Sequence, residues 1–193
     1  FLLSIGVVTI ITAVLMALMQ HDYKRLLGYH AVSQVGYMIL GFGIGSILGV
    51  VAGLFHMLNN ALYKSGLFMV AGSIERQTGK NDISDLGGLS AAMPVTFAAA
   101  MIFAMSISGI PPFNGFASKW MIYQGIIESG TGTGISGQLW IVWLGLAVLG
   151  SALTLASFVK FIGGIFLGRR DTVMGGVREV PFLMWLPMAL LAL

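Results

Sequence analysis

Lys64 stands among Leu62, Tyr63, Leu67 and Phe68, in a run too apolar for a surface charge. A lysine at mid-bilayer costs about 3 kcal/mol or more, so such residues pair, conduct or switch. Counting back in steps of four gives Asn60 and then His56. On a helix these three drift by about 40° per step and line one face over about 12 Å. A row of proton-capable and hydrogen-bonding groups along the membrane normal is what a proton path requires. Each group must pass a proton to the next, directly or through one water. Asn59 lies beside the row. A plainer role suits the same residues, as polar glue between helices.

Lys119 is the second candidate. It ends the stretch from Ser108 to Lys119, in which Gly109, Pro111, Pro112 and Gly115 interrupt an apolar run. Each proline lacks an N–H and crowds the carbonyl four residues back, and Ile110 is pushed out of the helical region. Bilayers tolerate a broken backbone only where protein buries it or water reaches it. Carbonyls from about Met105 to Ser108 lose their amide partners at such a break and can hold water. Trp120 offers the other reading of Lys119, as a snorkelling residue at an interface belt. About ten further residues separate Lys119 from the next loop, which argues against that reading. Elsewhere, His30 and Gln34 lie one turn apart, and Tyr29, Ser33 and Tyr37 form a neighbouring row. Such rows are helix-packing glue in many membrane proteins. Gln34, His30, Ser33 and Asn59 are kept as pathway support.

These groups need a membrane around them, and the composition provides one. Of 193 residues, 57% are hydrophobic and 9% charged, with a mean hydropathy of +0.92. Soluble domains carry about 25% charged residues. There is no cysteine, so thiolate metal sites, iron–sulfur clusters and disulfides are excluded. Three dispersed histidines make no zinc signature, and we expect no metal, no cofactor and no catalytic residue in this chain. The net charge of +3 follows from where the lysines and arginines sit and gives no sign of nucleic-acid binding. Gly41-x-Gly43-x-Gly45 resembles a nucleotide fingerprint as a string only, since no strand precedes it.

A spanning helix needs about 20 apolar residues. Leu2–Gln20, Leu26–Ile47 and Leu48–Ile74 are three such runs, separated by a polar turn at 21–25 and a Gly/Ser turn. Glu75–Ser90 reads as a surface loop. Ala91–Ser129 is too long for one span, and the Pro111-Pro112 break resolves it into half-helices ending near Ser108 and starting near Phe116. After a small-residue loop at Gly130–Gly137, Gln138–Leu167 is the fifth span. A basic loop at 168–180 follows, and Pro181 opens a sixth helix. The expected fold is all-α and integral to the membrane, with about six transmembrane segments, one of them discontinuous. Phe1 begins within one apolar run and Leu193 ends within another, so we expect a single membrane domain that is a fragment of a longer chain.

If the spans alternate, the turns at 21–25, 75–90 and 168–180 share one side. They hold Lys24, Arg25, Arg76, Lys80, Arg169, Arg170 and Arg178, and the opposite turns hold no basic residue. Positive charge marks the cytoplasmic side. We therefore expect a multi-pass protein of a prokaryotic cytoplasmic membrane with these three loops cytoplasmic. Lys160, about two turns from that end, can snorkel to it.

Three segments now carry a resemblance. His21 to Tyr37 resembles a D-x-K-R-x-x-x-Y-S-x-x-S-x-x-G pattern. Phe55 to Phe68 is the second. The third is Leu86-Gly87-Gly88-Leu89 through Met93-Pro94, followed by the Gly109–Lys119 break. Over residues 1–170 the chain resembles the antiporter-like subunits of respiratory complex I, energy-converting hydrogenases and multisubunit cation/proton antiporters. The resemblance implies that His56 and Lys64 lie on a central hydrophilic axis and that Lys119 is the terminal proton carrier on a broken helix. It also implies a fold of fourteen core helices with two inverted repeats, of which this chain covers most of the second. Two positions depart from the pattern. Asn60 stands where a second histidine is common, so relay from His56 to Lys64 would lean on water, and His30 stands where serine is usual.

The expected function is that of a proton-translocating subunit of a redox-driven complex, with other membrane subunits as partners and electron transfer left to them. A sodium/proton antiporter subunit is the alternative within the resemblance. A helical scaffold without transport is the alternative outside it.

Overall fold

The first turn of the chain is closed by Asp22. Its carboxylate accepts from the backbone N–H groups of Lys24 (2.8 Å) and Arg25 (3.0 Å), capping the helix that follows. Lys24 and Arg25 therefore belong to a helix and not to the polar turn expected at 21–25. The computed structural model describes residues 1–130, 139–168 and 176–192. Among them are α1 (Leu2–Leu18), α2 (Tyr23–Gly43), α3 (Ile47–Thr78), α4 (Leu89–Ala92), α5 (Pro94–Ser108), α6 (Asn114–Ser129), α7 (Trp140–Ile162) and α8 (Phe182–Ala192). A π-helical turn, Gly163–Leu167, extends α7. The described residues contain no strand, so the fold is all-α. The expected loop at Gly130–Gly137 lies largely outside the described residues, as do Arg169 and Arg170.

Trp140–Leu167 is long and apolar enough to cross a bilayer by itself, whereas Leu2–Leu18, Pro94–Ser108 and Phe182–Ala192 are apolar but shorter. With 32 residues, α3 runs for roughly 48 Å. That exceeds a hydrocarbon core of about 30 Å, so α3 must tilt or project. Ser46 caps its start through Gly49 N (3.1 Å). Gly79, in the left-handed region at φ 66°, ends it.

Small residues let α1 and α2 touch backbone to backbone. A Cβ on Gly6 would lie 2.8 Å from the Leu40 nitrogen and 2.9 Å from the Gly36 carbonyl oxygen. One on Gly36 would lie 2.9 Å from the Gly6 carbonyl oxygen.

At the end of the bundle that carries the basic residues, the loops are tied together. Tyr23 N donates to Asn81 O (3.1 Å) and Ile83 N to His21 O (2.9 Å), forming an isolated antiparallel bridge between Asp22 and Asp82. The Tyr23 hydroxyl donates to Lys80 O (2.9 Å). Lys24 and Glu75 form a salt bridge of 2.5 Å, and Lys24 holds the Glu75 carboxyl below its ordinary range. Lys160 reaches the same end, as expected, and caps α1 through Leu18 O (3.0 Å) and Gln20 O (2.7 Å).

A long-range cap holds the start of α5. The Glu179 carboxylate accepts from Val95 N (2.8 Å), Thr96 N (3.2 Å) and the Thr96 hydroxyl (2.6 Å). A carboxylate here also meets the positive end of the helix dipole. Glu179→Ala is expected to cost about 1–2 kcal/mol. Thermal unfolding of the full-length subunit in detergent measures it, and an unchanged midpoint would exclude a capping role.

Candidate functional site

Where α5 ends, Gly109 takes the left-handed region at φ +78°. Its N–H donates to Ser106 O (3.0 Å), and Ile110 N donates to Met105 O (3.1 Å). So two of the four carbonyls expected to be free are satisfied by the turn itself. The Pro111-Pro112 bond is cis. The next half-helix starts at Asn114, two residues before the expected Phe116.

Asn114 closes the break from both sides. Its side-chain oxygen accepts from the Ser106 hydroxyl, and its carbonyl accepts from the Asn59 amide (3.0 Å). Thus Asn59, read from sequence as a neighbour of the α3 row, pins α3 to the break. Gly115 is what lets the half-helices approach. A Cβ there would sit 1.8 Å from the Ser106 carbonyl oxygen.

A third carbonyl, Ile107 O, accepts from the Lys119 ammonium at 2.8 Å. The C-terminal end of a helix favours a cation through its dipole. Lys119 is 1% exposed. It lies inside the protein and does not snorkel beside Trp120. Its ammonium also stands 4.7 Å above the centroid of the Tyr37 ring.

The α3 row divides between two neighbours. His56 Nδ1 and the Ser118 hydroxyl are hydrogen-bonded at 2.9 Å, turning His56 toward α6. Its ring lies 5.5 Å from that of Tyr37. Lys64 turns the other way and donates to Leu27 O on α2, with its ammonium 5.7 Å from the Phe68 centroid. Asn60 sits between them, half-buried, with no protein partner for its buried Oδ1 among the described residues. His56 Nε2 is buried and unpartnered in the same sense. The structure therefore gathers His56, Tyr37 and Lys119 into one cluster and leaves Lys64 in another.

The second cluster is held by α2. Tyr63 donates to Gln34 Oε1 (3.4 Å), Gln34 donates to the Ser33 hydroxyl (3.3 Å), and Ser33 donates to His30 O (3.2 Å). His30 Nε2 pairs with the Ser157 hydroxyl of α7 at 2.8 Å. His30 is fully buried and lies within electrostatic reach of both Lys64 and Lys119. Among the described residues the one salt bridge is Lys24–Glu75, and neither buried lysine takes part in it.

Sequence reasoning missed three participants: Leu27, which acts through its backbone oxygen, and Ser157 and Asn114; Ile107 O is among the carbonyls expected to be freed at the break, and it accepts from Lys119. Carbonyl partners leave no trace in residue type. Asn114 had a signal, being a polar residue between Pro112 and Gly115 at a helix start.

Residues 1–145 match the family described as NADH:quinone oxidoreductase/Mrp antiporter, transmembrane. The chain is 39% identical over 184 residues to formate hydrogenlyase subunit 3 of Escherichia coli K12, covering 89% of this chain and 30% of that protein. It is 38% identical over 181 residues to Na(+)/H(+) antiporter subunit A1 of Staphylococcus haemolyticus, covering 86% and 22%. Its fold superposes, with a TM-score of 0.86 and 34% identity, on a chain of the membrane-bound sulfane sulfur reductase, an archaeal respiratory membrane complex, covering 97% and 30%. The chain thus spans less than a third of the length of these relatives.

Proposed function

We propose, from the premise that this chain belongs to the NADH:quinone oxidoreductase/Mrp antiporter transmembrane family, that it is the proton-conducting part of a membrane subunit in a redox-driven complex. One observation carries the reading. Two lysines lie buried in a membrane protein, each held by a backbone carbonyl and an aromatic ring, and the one described salt bridge lies elsewhere. A buried charge without a counter-ion is costly. A site that holds one through neutral partners is suited to gaining and losing it. Lys64 is the central carrier and Lys119 the terminal one. His56 and Asn60 conduct along the axis, with His30, Ser33, Gln34 and Asn59 in support. Gly109, Pro111, Pro112 and Gly115 make the break that sets Lys119 against Ile107 O.

The chain holds no cofactor in this reading. Electron donors and acceptors belong to partner membrane subunits, as the similarity to a hydrogenlyase subunit and a sulfane sulfur reductase chain supports. The similarity to an antiporter subunit favours a second reading, sodium/proton exchange without a redox partner. The purified complex in proteoliposomes separates them. Proton uptake should follow addition of the electron donor. Uptake that instead requires an imposed sodium gradient would favour the antiporter. A scaffold role predicts that lysine substitutions disturb assembly and leave transport intact.

The basic end of the bundle faces the cytoplasm of a prokaryotic cell in this reading, supported by Lys24, Arg25, Arg76, Lys80 and Arg178. Ser84→Cys, at an exposed position between α3 and α4, gives a probe when read against the unsubstituted subunit. A membrane-impermeant maleimide should label it in inverted vesicles and not in intact cells. The reverse pattern would invert the topology.

A further inference from the structure

Tyr37 reads as helix glue in the sequence, and its hydroxyl fits that role. It donates to Ala147 O (2.6 Å) and is hydrogen-bonded to the Ser151 hydroxyl (2.9 Å), which pairs in turn with the Tyr123 hydroxyl (2.7 Å). Glue does not explain the ring. Anchored on α7 at its far edge and fully buried, the ring is held with its face 4.7 Å below the Lys119 ammonium and packs against His56. Gly150 lies beside the hydroxyl, where a Cβ would come within 2.3 Å of Ile10 Cγ2 and 3.1 Å of the Tyr37 oxygen.

We propose that Tyr37 is a positioning residue for proton transfer at Lys119, its ring face serving as an uncharged substitute for a counter-ion. The proposal rests on the proton-conducting reading above. An aromatic face attracts a cation through its quadrupole, and most strongly where water is excluded. An ammonium has three donors, and Ile107 O takes one. The ring faces the same ammonium without taking up a strong acceptor. The difference from a carboxylate lies in the uncharged state. A carboxylate partner would be left as a buried anion when the lysine gives up its proton, which opposes release. A ring leaves no charge behind. It therefore holds the ammonium in place without locking it in the charged form. The Ser151 and Tyr123 hydroxyls keep the ring from turning away.

The test uses the full-length subunit in its native complex, reconstituted in proteoliposomes, with protons taken up per donor oxidised as the readout. Tyr37→Phe keeps the ring. Replacing that phenylalanine by its 4-fluoro, 3,5-difluoro and 3,4,5-trifluoro derivatives drains the ring face of negative potential with little change of shape. Transport is expected to fall stepwise, by on the order of tenfold across the series. A flat series would overturn the proposal, since a purely structural ring would not register fluorine count. If Tyr37→Phe complexes do not assemble, or lose transport once the hydroxyl anchor is gone, 3-fluoro- and 3,5-difluorotyrosine, which keep the hydroxyl, are used on the acid side of their lowered phenol pKa, with the same two outcomes. Lys119→Met is run alongside. Wild-type transport there would remove Lys119 as a proton carrier and, together with wild-type transport in Lys64→Met, would sink the proton-conducting reading itself, whereas lost transport with a flat fluorine series would sink only the role of Tyr37.

Discussion

Lys64→Met in the full-length subunit is expected to abolish donor-driven proton uptake, by more than tenfold, while the complex still assembles. Lys64 is 7% exposed, and its ammonium donates to a helix carbonyl on α2. Methionine is flexible and unbranched and fills nearly the same space, but it carries no proton. Its cost to folding is small or favourable, because a lysine at this depth is itself worth about 3 kcal/mol or more of destabilisation. Leu27 O remains bonded within α2, so no buried acceptor is orphaned. Loss of transport in an assembled complex therefore isolates the proton-carrying role. Wild-type proton uptake in Lys64→Met, together with wild-type uptake in Lys119→Met, would leave the two lysines without function.

Gly115→Ala is expected to damage the subunit more broadly. The new methyl would meet the Ser106 carbonyl oxygen at 1.8 Å and its carbon at 2.7 Å. Both are backbone atoms, which cannot rotate away. Either α5 or α6 must shift, and with it the Ser106–Asn114 and Asn59–Asn114 bonds. Ser118 and Lys119 lie three and four residues further on, so the His56–Ser118 and Lys119–Ile107 contacts move too. Overpacking of this kind costs about 1–3 kcal/mol or more. Thermal stability and proton uptake should both fall, the latter by at least tenfold. Gly72→Ala is the control, because a methyl there meets nothing within 4 Å. Equal behaviour of the two variants would refute the close-approach argument.

Much of the helical order was legible because each helix carries its own signal. The prolines and Gly109 placed the end of α5 at Ser108, where the structure has it. α6 starts two residues before its sequence signal, because Phe116 and not Asn114 looks like the first apolar helical residue. The polar turn expected at 21–25 ends at Asp22. Asp22 is an ordinary capping residue, and a cap there implies that Tyr23 is already helical. What the sequence could not show are pairings across helices. His56 and Lys64 share a helical face by spacing, but side chains of that length can turn to either flank, and their partners lie on α6 and α2. Nor does any local pattern link Glu179 to Thr96 across 83 residues.

The glycine contact between α1 and α2 bears on a problem every ion pump faces, which is leakage. Energy stored as a membrane potential drains through any continuous thread of water. A water molecule needs a gap wider than the Gly6–Gly36 seam, where even a methyl group would strike backbone. In the proton-conducting reading that seam leaves no room for water between α1 and α2 at this level, and so serves as electrical insulation there.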